Sequence, residues 1–168
     1  LLTGPAYFVR PVGFMDVEAL SFDNQGNLCG IDDATHQLIH INTQSGAGTA
    51  IGLVDTLLAN PGFTIDLNGN AWMSNAWYNY LYSVDLNTGQ GNIVGPTGFS
   101  VGGLTTAPDG TIYGITGDAS DSLVSINTTT GAAVLIGSLN VGLDIREAGI
   151  AMDSAGNLWC VEDKGSLI

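Results

Sequence analysis

Positively charged residues are almost absent from this chain. It has 168 residues, with three lysines and arginines against 16 aspartates and glutamates, which gives a formal net charge of −13. A chain of this charge repels the phosphate backbone of nucleic acids and the anionic surface of a membrane. Nucleic acid and acidic lipid are therefore excluded as partners.

Long hydrophobic runs and cysteine motifs are missing as well. No apolar run approaches the roughly 20 residues that a membrane-spanning helix requires, so we expect no membrane insertion. Cys29 and Cys160 are the only cysteines and lie too far apart for a CxxC motif, so we interpret both as buried, unbridged thiols. No stretch keeps a 3.6-residue hydrophobic period, so little helix is expected.

Hydrophobic residues and glycine are abundant instead. The chain is 45% hydrophobic and contains 24 glycines and five prolines, which favours one turn-rich, all-β domain. Threonine, asparagine and serine are frequent, lysine occurs once, and the pI is about 4.1. This composition is typical of secreted bacterial surface proteins and predicts a secreted or cell-surface location.

A motif of eight residues occurs four times. The copies lie at 21–28, 64–71, 105–112 and 151–158, and their glycines are 43, 41 and 46 residues apart. A period of roughly 40 to 50 residues is typical of arrays of four-stranded sheets. We divide the chain into units at 14–52, 53–95, 96–137 and 138–168, the last together with residues 5–13.

Each unit is predicted to contain four short antiparallel strands. In the first unit they are residues 18–23, 27–32, 37–42 and 48–52, and glycine-containing turns separate the first pair and the last pair. Equivalent positions carry similar types of side chain in the different units. One column of the second strand reads Cys29, Trp72, Tyr113 and Trp159, and we expect these side chains to pack between neighbouring sheets.

These motifs resemble the β-propeller families of the NHL and gluconolactonase-like kind, whose blades have about 42 residues. The resemblance rests on Asp-x-x-Gly-Asn-Leu-Trp at 153–159 and Leu-x-x-Ile-Asn-x-x-x-Gly at 38–46. It implies an all-β propeller of four four-stranded blade units. It does not imply one activity, because propellers include lyases, lactonases, lectins and inert scaffolds.

The first residues of the chain are interpreted as a fourth strand without a blade of its own. Residues 7–13 could complete the blade formed by 147–168. Completion within the chain gives a closed ring of four blades, and completion between two chains gives a ring of eight. The chain could also be part of a longer array of blades.

Three aromatic residues form the first candidate site. Trp77, Tyr78 and Tyr80 lie in the loop between the second and third strands of the second unit. The links between units, whose lengths vary most, open on the same face, so we expect any functional site there. Flat aromatic side chains suit a sugar ring or a partner protein, although they could instead fold down to cover a neighbouring blade.

Carboxylates in the links form the second candidate site. Asp16, Glu18, Asp144 and Glu147 could converge near the central channel and hold a hard cation such as Ca²⁺, or they could be solubilising surface charges. Asp32 and Asp33 are interpreted as hairpin residues, and 66–70 as a turn rather than a calcium loop. Asn127 begins a sequence that matches an N-glycosylation sequon.

No catalytic motif is evident. The sequence lacks a Gly-x-Ser-x-Gly elbow, a phosphate-binding glycine loop and a His-Glu-x-x-His helix. We predict an extracellular binding or structural module whose partner is a glycan, a protein or another copy of the chain. The resemblance implies two alternatives, a metal-dependent hydrolase or lyase of the gluconolactonase-like type and a lectin-like propeller.

Overall fold

The computed structural model describes residues 8–117, 121–139 and 149–161. These ranges contain fourteen β-strands, and they contain no helix that is long and apolar enough to cross a membrane. The strands form three sheets of four strands and one sheet of two, and every pairing is antiparallel. Each sheet is one blade of the predicted repeat.

The strand boundaries follow the sequence units closely. The four strands predicted for the first unit agree with the structure within one residue at each end. Blade 1 contains β1 (Val17–Phe22), β2 (Leu28–Asp32), β3 (Gln37–Ile41) and β4 (Gly48–Leu53). Blade 2 contains β5 (Pro61–Ile65), β6 (Ala71–Asn75), β7 (Tyr80–Val84) and β8 (Gly91–Pro96). Blade 3 contains β9 (Val101–Thr106), β10 (Ile112–Thr116), β11 (Ser122–Ile126) and β12 (Ala133–Ser138), and the described strands of blade 4 are β13 (Gly149–Met152) and β14 (Leu158–Val161).

The blades are arranged as an arc around their first strands. In chain order, β1 packs against β5, β5 against β9, and β9 against β13. Among the described residues, β13 makes no comparable contact with β1, so closure into a ring of four blades is not observed. The predicted third strand of the last unit lies outside the described residues.

Each blade buries two apolar faces against its neighbours. We call the face toward the preceding blade the front face and the face toward the following blade the back face. Ile31 on the back face of blade 1 shares a buried cluster with Phe63 and Met73 on the front face of blade 2. Trp72 on the back face of blade 2 packs against the corresponding cluster of blade 3, which confirms the predicted packing between sheets at this position.

Residues 8–12 lie where the fourth strand of a preceding blade would lie. The Gly48 N–H donates to the carbonyl oxygen of Val12 at 2.8 Å. The equivalent bonds join blade 2 to Val54, which follows β4, and blade 3 to Thr97, which follows β8.

The N-terminal segment therefore lies in the position predicted for a strand without its own blade, but the strand predicted at 7–13 is not formed: the described residues 8–13 are irregular, and the first strand begins at Val17. Pro11 has no N–H to donate to a neighbouring strand. The pairing of this segment with the last unit would involve residues outside the described ranges.

Candidate functional site

The links between blades and the hairpins between second and third strands share one face of the arc, as predicted. We call it the loop face. The Asp33 N–H donates to the carbonyl oxygen of Asp16 at 2.8 Å, and the Gly117 N–H donates to that of Ser100 at 2.8 Å. Each hairpin is thereby joined to the link that precedes its own blade.

A buried polar side chain organises this face in each of the first three blades. Asp32, Asn75 and Thr116 end the second strands at equivalent positions and are almost completely buried. Asp32 accepts hydrogen bonds from the backbone N–H of Asp16 at 2.9 Å and from the Thr35 hydroxyl at 2.6 Å. Burial raises the Asp32 pKa, but these bonds outweigh burial and hold the pKa below its ordinary value. The sequence pattern around Asp32, which predicts only a hairpin residue, does not indicate this role.

Asn75 performs the same task in blade 2. Its Nδ2 donates to the carbonyl oxygen of Leu57 at 2.7 Å, and its Oδ1 lies 3.5 Å from the backbone nitrogen of Tyr78. One side chain thus ties the link at 54–60 to the loop at 76–80, which we call the Trp77 loop. Asn79 ends the turn of this loop with a φ of 56°, a left-handed conformation that asparagine tolerates well.

The Trp77 loop presents its aromatic side chains to solvent. Trp77 is 75% exposed, and Tyr78 and Tyr80 are also exposed. The Trp77 ring therefore does not cover a neighbouring blade. Leu57, in the link that Asn75 holds beside Tyr78, is a further exposed apolar residue. Below them Tyr82 is buried, and its pKa is raised by burial and by a hydrogen bond with Asp55.

Two of the predicted metal ligands lie together, and a third carboxylate joins them. Oxygen atoms of Asp16, Glu18 and Asp33 all lie within 4.8 Å of one another. The Oδ1 atom of Asp33 is buried and has no hydrogen-bond partner, and burial raises the pKa of this carboxyl group. Asp144 and Glu147, predicted for the same site, lie outside the described residues. Asp33 is a hairpin residue, as predicted, but its contact with the link was not foreseen.

The first strands of the blades surround a cavity of about 440 Å³ at the centre of the arc. Its lining is apolar apart from Glu18 and includes Leu20, Phe63, Leu104 and Trp159. Among its described lining residues there is no histidine, cysteine or lysine to serve as a catalytic base or nucleophile. The described part of the cavity therefore offers one carboxylate, Glu18, which is itself a member of the acidic cluster.

A second cavity of about 650 Å³ lies between blades 1 and 2 and is lined by their first turns. Cys29 and His40 face it from paired positions of β2 and β3. Burial, with a smaller effect of the Asp23 charge, raises the pKa of the Cys29 thiol. A protonated, buried thiol is a poor nucleophile. Cys29 and Cys160 are both buried, as predicted.

Two further motifs serve turns. Asp66 accepts hydrogen bonds from the backbone N–H groups of Asn68 and Asn70 at 2.9 Å, so residues 66–70 form a turn, as predicted. Asn127 accepts from the N–H groups of Thr129 and Thr130 at 2.9 and 3.0 Å and is exposed. Glycosylation of Asn127 stays a prediction.

Comparison with known proteins shows the fold. No family model matches the chain, and no curated protein is similar in sequence. Virginiamycin B lyase from Staphylococcus aureus is 15% identical over 89% of this chain and 53% of its own, with a TM-score of 0.61. A gluconolactonase from Xanthomonas campestris is 11% identical over 94% of this chain and 76% of its own, with a TM-score of 0.64. A chain of the nidogen/laminin complex is 14% identical over 97% of this chain and 62% of its own, with a TM-score of 0.69.

These solved structures are propellers, and the described blades have the fold of a β-propeller. At 11 to 15% identity the likeness shows the fold alone. The chain spans about half the length of the first solved structures that it matches, between 46% and 54%.

Proposed function

We propose that this chain is a binding module of the β-propeller type whose Trp77 loop recognises a neutral glycan. The exposure of Trp77 carries the proposal. An indole that is 75% exposed contributes nothing to the core at that position, and it lies on the face where propeller loops vary. Tyr78 and Tyr80 extend the aromatic surface within the same loop.

The loop is well suited to a flat ligand. Aromatic side chains bury a large area and lose little rotamer freedom on binding, and their rings stack on the apolar faces of sugars. Asn75 fixes the loop from below, so the ligand would not have to order it. The net charge of −13 repels uronic and sulfated sugars, which leaves neutral glycans as the favoured class.

The test is titration calorimetry with neutral oligosaccharides selected on a glycan array. The informative variant is Trp77→Ala, Tyr78→Thr, Tyr80→Gln, because blade 1 has Ala34, Thr35 and Gln37 at these positions and the same turn. We expect a loss of affinity of at least about tenfold. His36→Asn, in the equivalent loop of blade 1, is the matched control. Equal binding by the triple variant, or no binding by the natural chain, would refute the proposal.

A calcium site at Asp16, Glu18 and Asp33 is the second candidate. Ca²⁺ prefers carboxylate oxygens, and Asp33 Oδ1 is a buried oxygen without a hydrogen-bond partner. Glu18 also lines the central cavity, so a cation here would lie beside it. Such an ion would brace the link against the hairpin, and it is the Lewis acid that the hydrolase or lyase alternative requires.

Urea unfolding with and without Ca²⁺ tests this site. We expect Ca²⁺ at a hundredfold excess over its Kd to raise the unfolding free energy by about 2.7 kcal/mol, and Asp33→Asn to remove most of this gain. In EDTA the variant should be at least as stable as the natural chain at pH 7, because burial disfavours the charged form of Asp33. Asp109→Asn, at an exposed turn, is the control. A calcium effect that is absent, or equal in both chains, argues against the site.

A further inference from the structure

We propose that the cavity between the first turns of blades 1 and 2 binds a small, flat aromatic molecule with a ring N–H, of the indole class. We call it the first-turn cavity. Both blades are described completely, and the cavity lies between faces that pack on each other inside the chain. Its volume of about 650 Å³ is within the range of about 300 to 1,000 Å³ that is common for ligand pockets.

The first-turn cavity exists because blade 1 lacks a large aromatic side chain on its second strand. The equivalent position is aromatic in the other three blades, as Trp72, Tyr113 and Trp159. At the second junction Trp72 packs on the front face of blade 3, against a buried cluster that includes Ile112. The equivalent residues at the first junction are Cys29 and Ala71, which share a buried cluster and are both smaller. Side chains of the blades therefore do not fill the space that an indole takes at the second junction.

His40 compensates only in part for the small Cys29 side chain. It lies opposite Cys29 in the pairing of β2 with β3, where blade 2 has Ser83 opposite Trp72. The His40 side chain lines the cavity without closing it. It is half-buried and has no hydrogen-bond partner among the described residues. Its ring is therefore available to stack on a flat ligand.

A ring N–H in the first-turn cavity has an acceptor in Asp23. In blade 2 the Oδ2 atom of Asp66 accepts two hydrogen bonds, from the side chain of Asn70 at 2.9 Å and from the indole of Trp72 at 3.0 Å. Blade 4 repeats both bonds at 2.9 and 3.2 Å. Among the described residues, Asp23 Oδ2 accepts only from the side chain of Asn27, at 2.8 Å. Asp23 lines the cavity, so the acceptor of an indole N–H lies beside the space for an indole ring.

The other lining residues favour an uncharged ring. Val84 and Leu86 of blade 2 supply apolar surface, and Gln25 and Asn87 are polar. The Asp23 carboxylate and the net charge of −13 repel a ligand that carries an acid group, so carboxylated indoles are disfavoured. The proposal is independent of the glycan site, because the first turns and the Trp77 loop lie at opposite ends of the second strands.

The first measurement is a titration of the natural chain with indole, by calorimetry and by two-dimensional NMR of the amide groups. We expect a Kd of about 1 mM or lower, which is within reach of so small a ligand. Benzofuran has the same two-ring shape without an N–H, so it should bind at least about fivefold more weakly. No indole binding at concentrations up to about 5 mM, or equal affinity for indole and benzofuran, overturns the proposal.

Filling the cavity from within the chain tests its location. Cys29→Trp with His40→Ser gives blade 1 the pair that blade 2 has in Trp72 and Ser83. The introduced ring should occupy the cavity and donate to Asp23. We therefore expect this variant to be at least as stable as the natural chain in urea and to lose at least about tenfold in indole affinity. Unchanged indole binding by the folded variant overturns the proposal.

Two further variants separate the shape of the cavity from its acceptor. Ala71→Ile, which introduces the side chain that blade 3 has at Ile112, should also block indole and serves if the first blocking variant does not fold. Asp23→Ala should fold, because blade 3 has Ala107 at this position and keeps the backbone bonds of the turn. Its affinity for indole should fall to that for benzofuran. Asp153→Ala, in the equivalent turn of blade 4, is the matched control and should bind indole like the natural chain. An unchanged affinity in Asp23→Ala, or an equal loss in both aspartate variants, overturns the proposal.

A ring of this class can come from a free molecule or from the tryptophan side chain of another protein. N-acetyltryptophanamide carries the same ring on a peptide backbone and distinguishes the two sources. Binding at least as tight as that of indole identifies a tryptophan side chain, and weaker binding identifies the free molecule. Trp77→Ala should bind indole like the natural chain. Glycan binding by a chain that does not bind indole would leave the proposed function intact, so the two proposals fail separately.

Discussion

Single residues at equivalent positions have roles that only their neighbours in space reveal. Asp32, Asn75 and Thr116 follow no hydrophobic pattern, and in the sequence they look like ordinary hairpin residues. In the structure they are buried and bind the hairpin or the link between blades. The repeat predicts that these positions are equivalent. It does not predict their burial, because the groups they bind lie up to 18 residues away in the chain.

Gly52 is a residue whose requirement for glycine is spatial. A Cβ atom there would lie 2.0 Å from the carbonyl oxygen of Thr88 in the next blade, and one at Gly95 would lie 2.1 Å from that of Thr130. Backbone atoms cannot move aside as a flexible side chain would. We therefore expect Gly52→Ala and Gly95→Ala each to lower the unfolding free energy by about 2–3 kcal/mol, measured by urea unfolding.

The control for this prediction is Gly149→Ala. No heavy atom lies within 4 Å of a Cβ at Gly149, and its backbone φ is not positive, so we expect a change below about 0.5 kcal/mol. Similar stability of all three variants would show that the blades separate easily at β4 and β8. That result would also argue against the close backbone contact between neighbouring blades that the structure shows at Gly52 and Gly95.

At the scale of elements, the turn between first and second strands was the most predictable feature. Asp66 closes it by accepting bonds from two backbone N–H groups, from Asn70 and from the Trp72 indole at 3.0 Å. Asp153 and Trp159 repeat this arrangement in blade 4. All partners lie within six residues of the aspartate, so the turn is readable as a local motif. Blade 3 has Ala107 instead and keeps the same backbone bonds, which shows that the aspartate reinforces the turn.

The candidate site was less predictable than these turns. The three aromatic residues of the Trp77 loop were identified because they lie within four positions of one loop, and Asp16 and Glu18 because they lie in a link. Asp33 was assigned to a hairpin alone, since its approach to Asp16 depends on how the link folds back over blade 1. Local chemistry is thus visible in the sequence, while contacts between a link and a hairpin require the fold.

For the whole molecule, the turn carboxylates should set the pH dependence of stability. Hydrogen bonds from Asn157 and the backbone lower the pKa of Asp153 to about 2, and similar bonds lower the pKa of Asp23 and, against the effect of burial, of Asp66. A lowered carboxyl pKa contributes stability above the unfolded value near 3.8 that is lost as pH falls toward the folded value. Asp33, whose pKa burial raises, has the opposite effect and gains from protonation.

We therefore expect the unfolding free energy to hold or rise as the pH falls from 7 to about 5, because Asp33 and the net charge of −13 are then partly neutralised. Below about pH 4 it should fall steeply as the turn carboxylates take up protons. Urea unfolding from pH 7 to pH 2 measures the unfolding free energy in both ranges, which are the neutral limb above about pH 5 and the acid limb below about pH 4 of its pH profile. Asp66→Ala with Asp153→Ala should flatten the acid limb, while Asp33→Asn should flatten only the limb above pH 5. An acid limb unchanged in the double variant would mean that the turns do not control acid unfolding, leaving repulsion between the positive charges that remain at low pH as its cause.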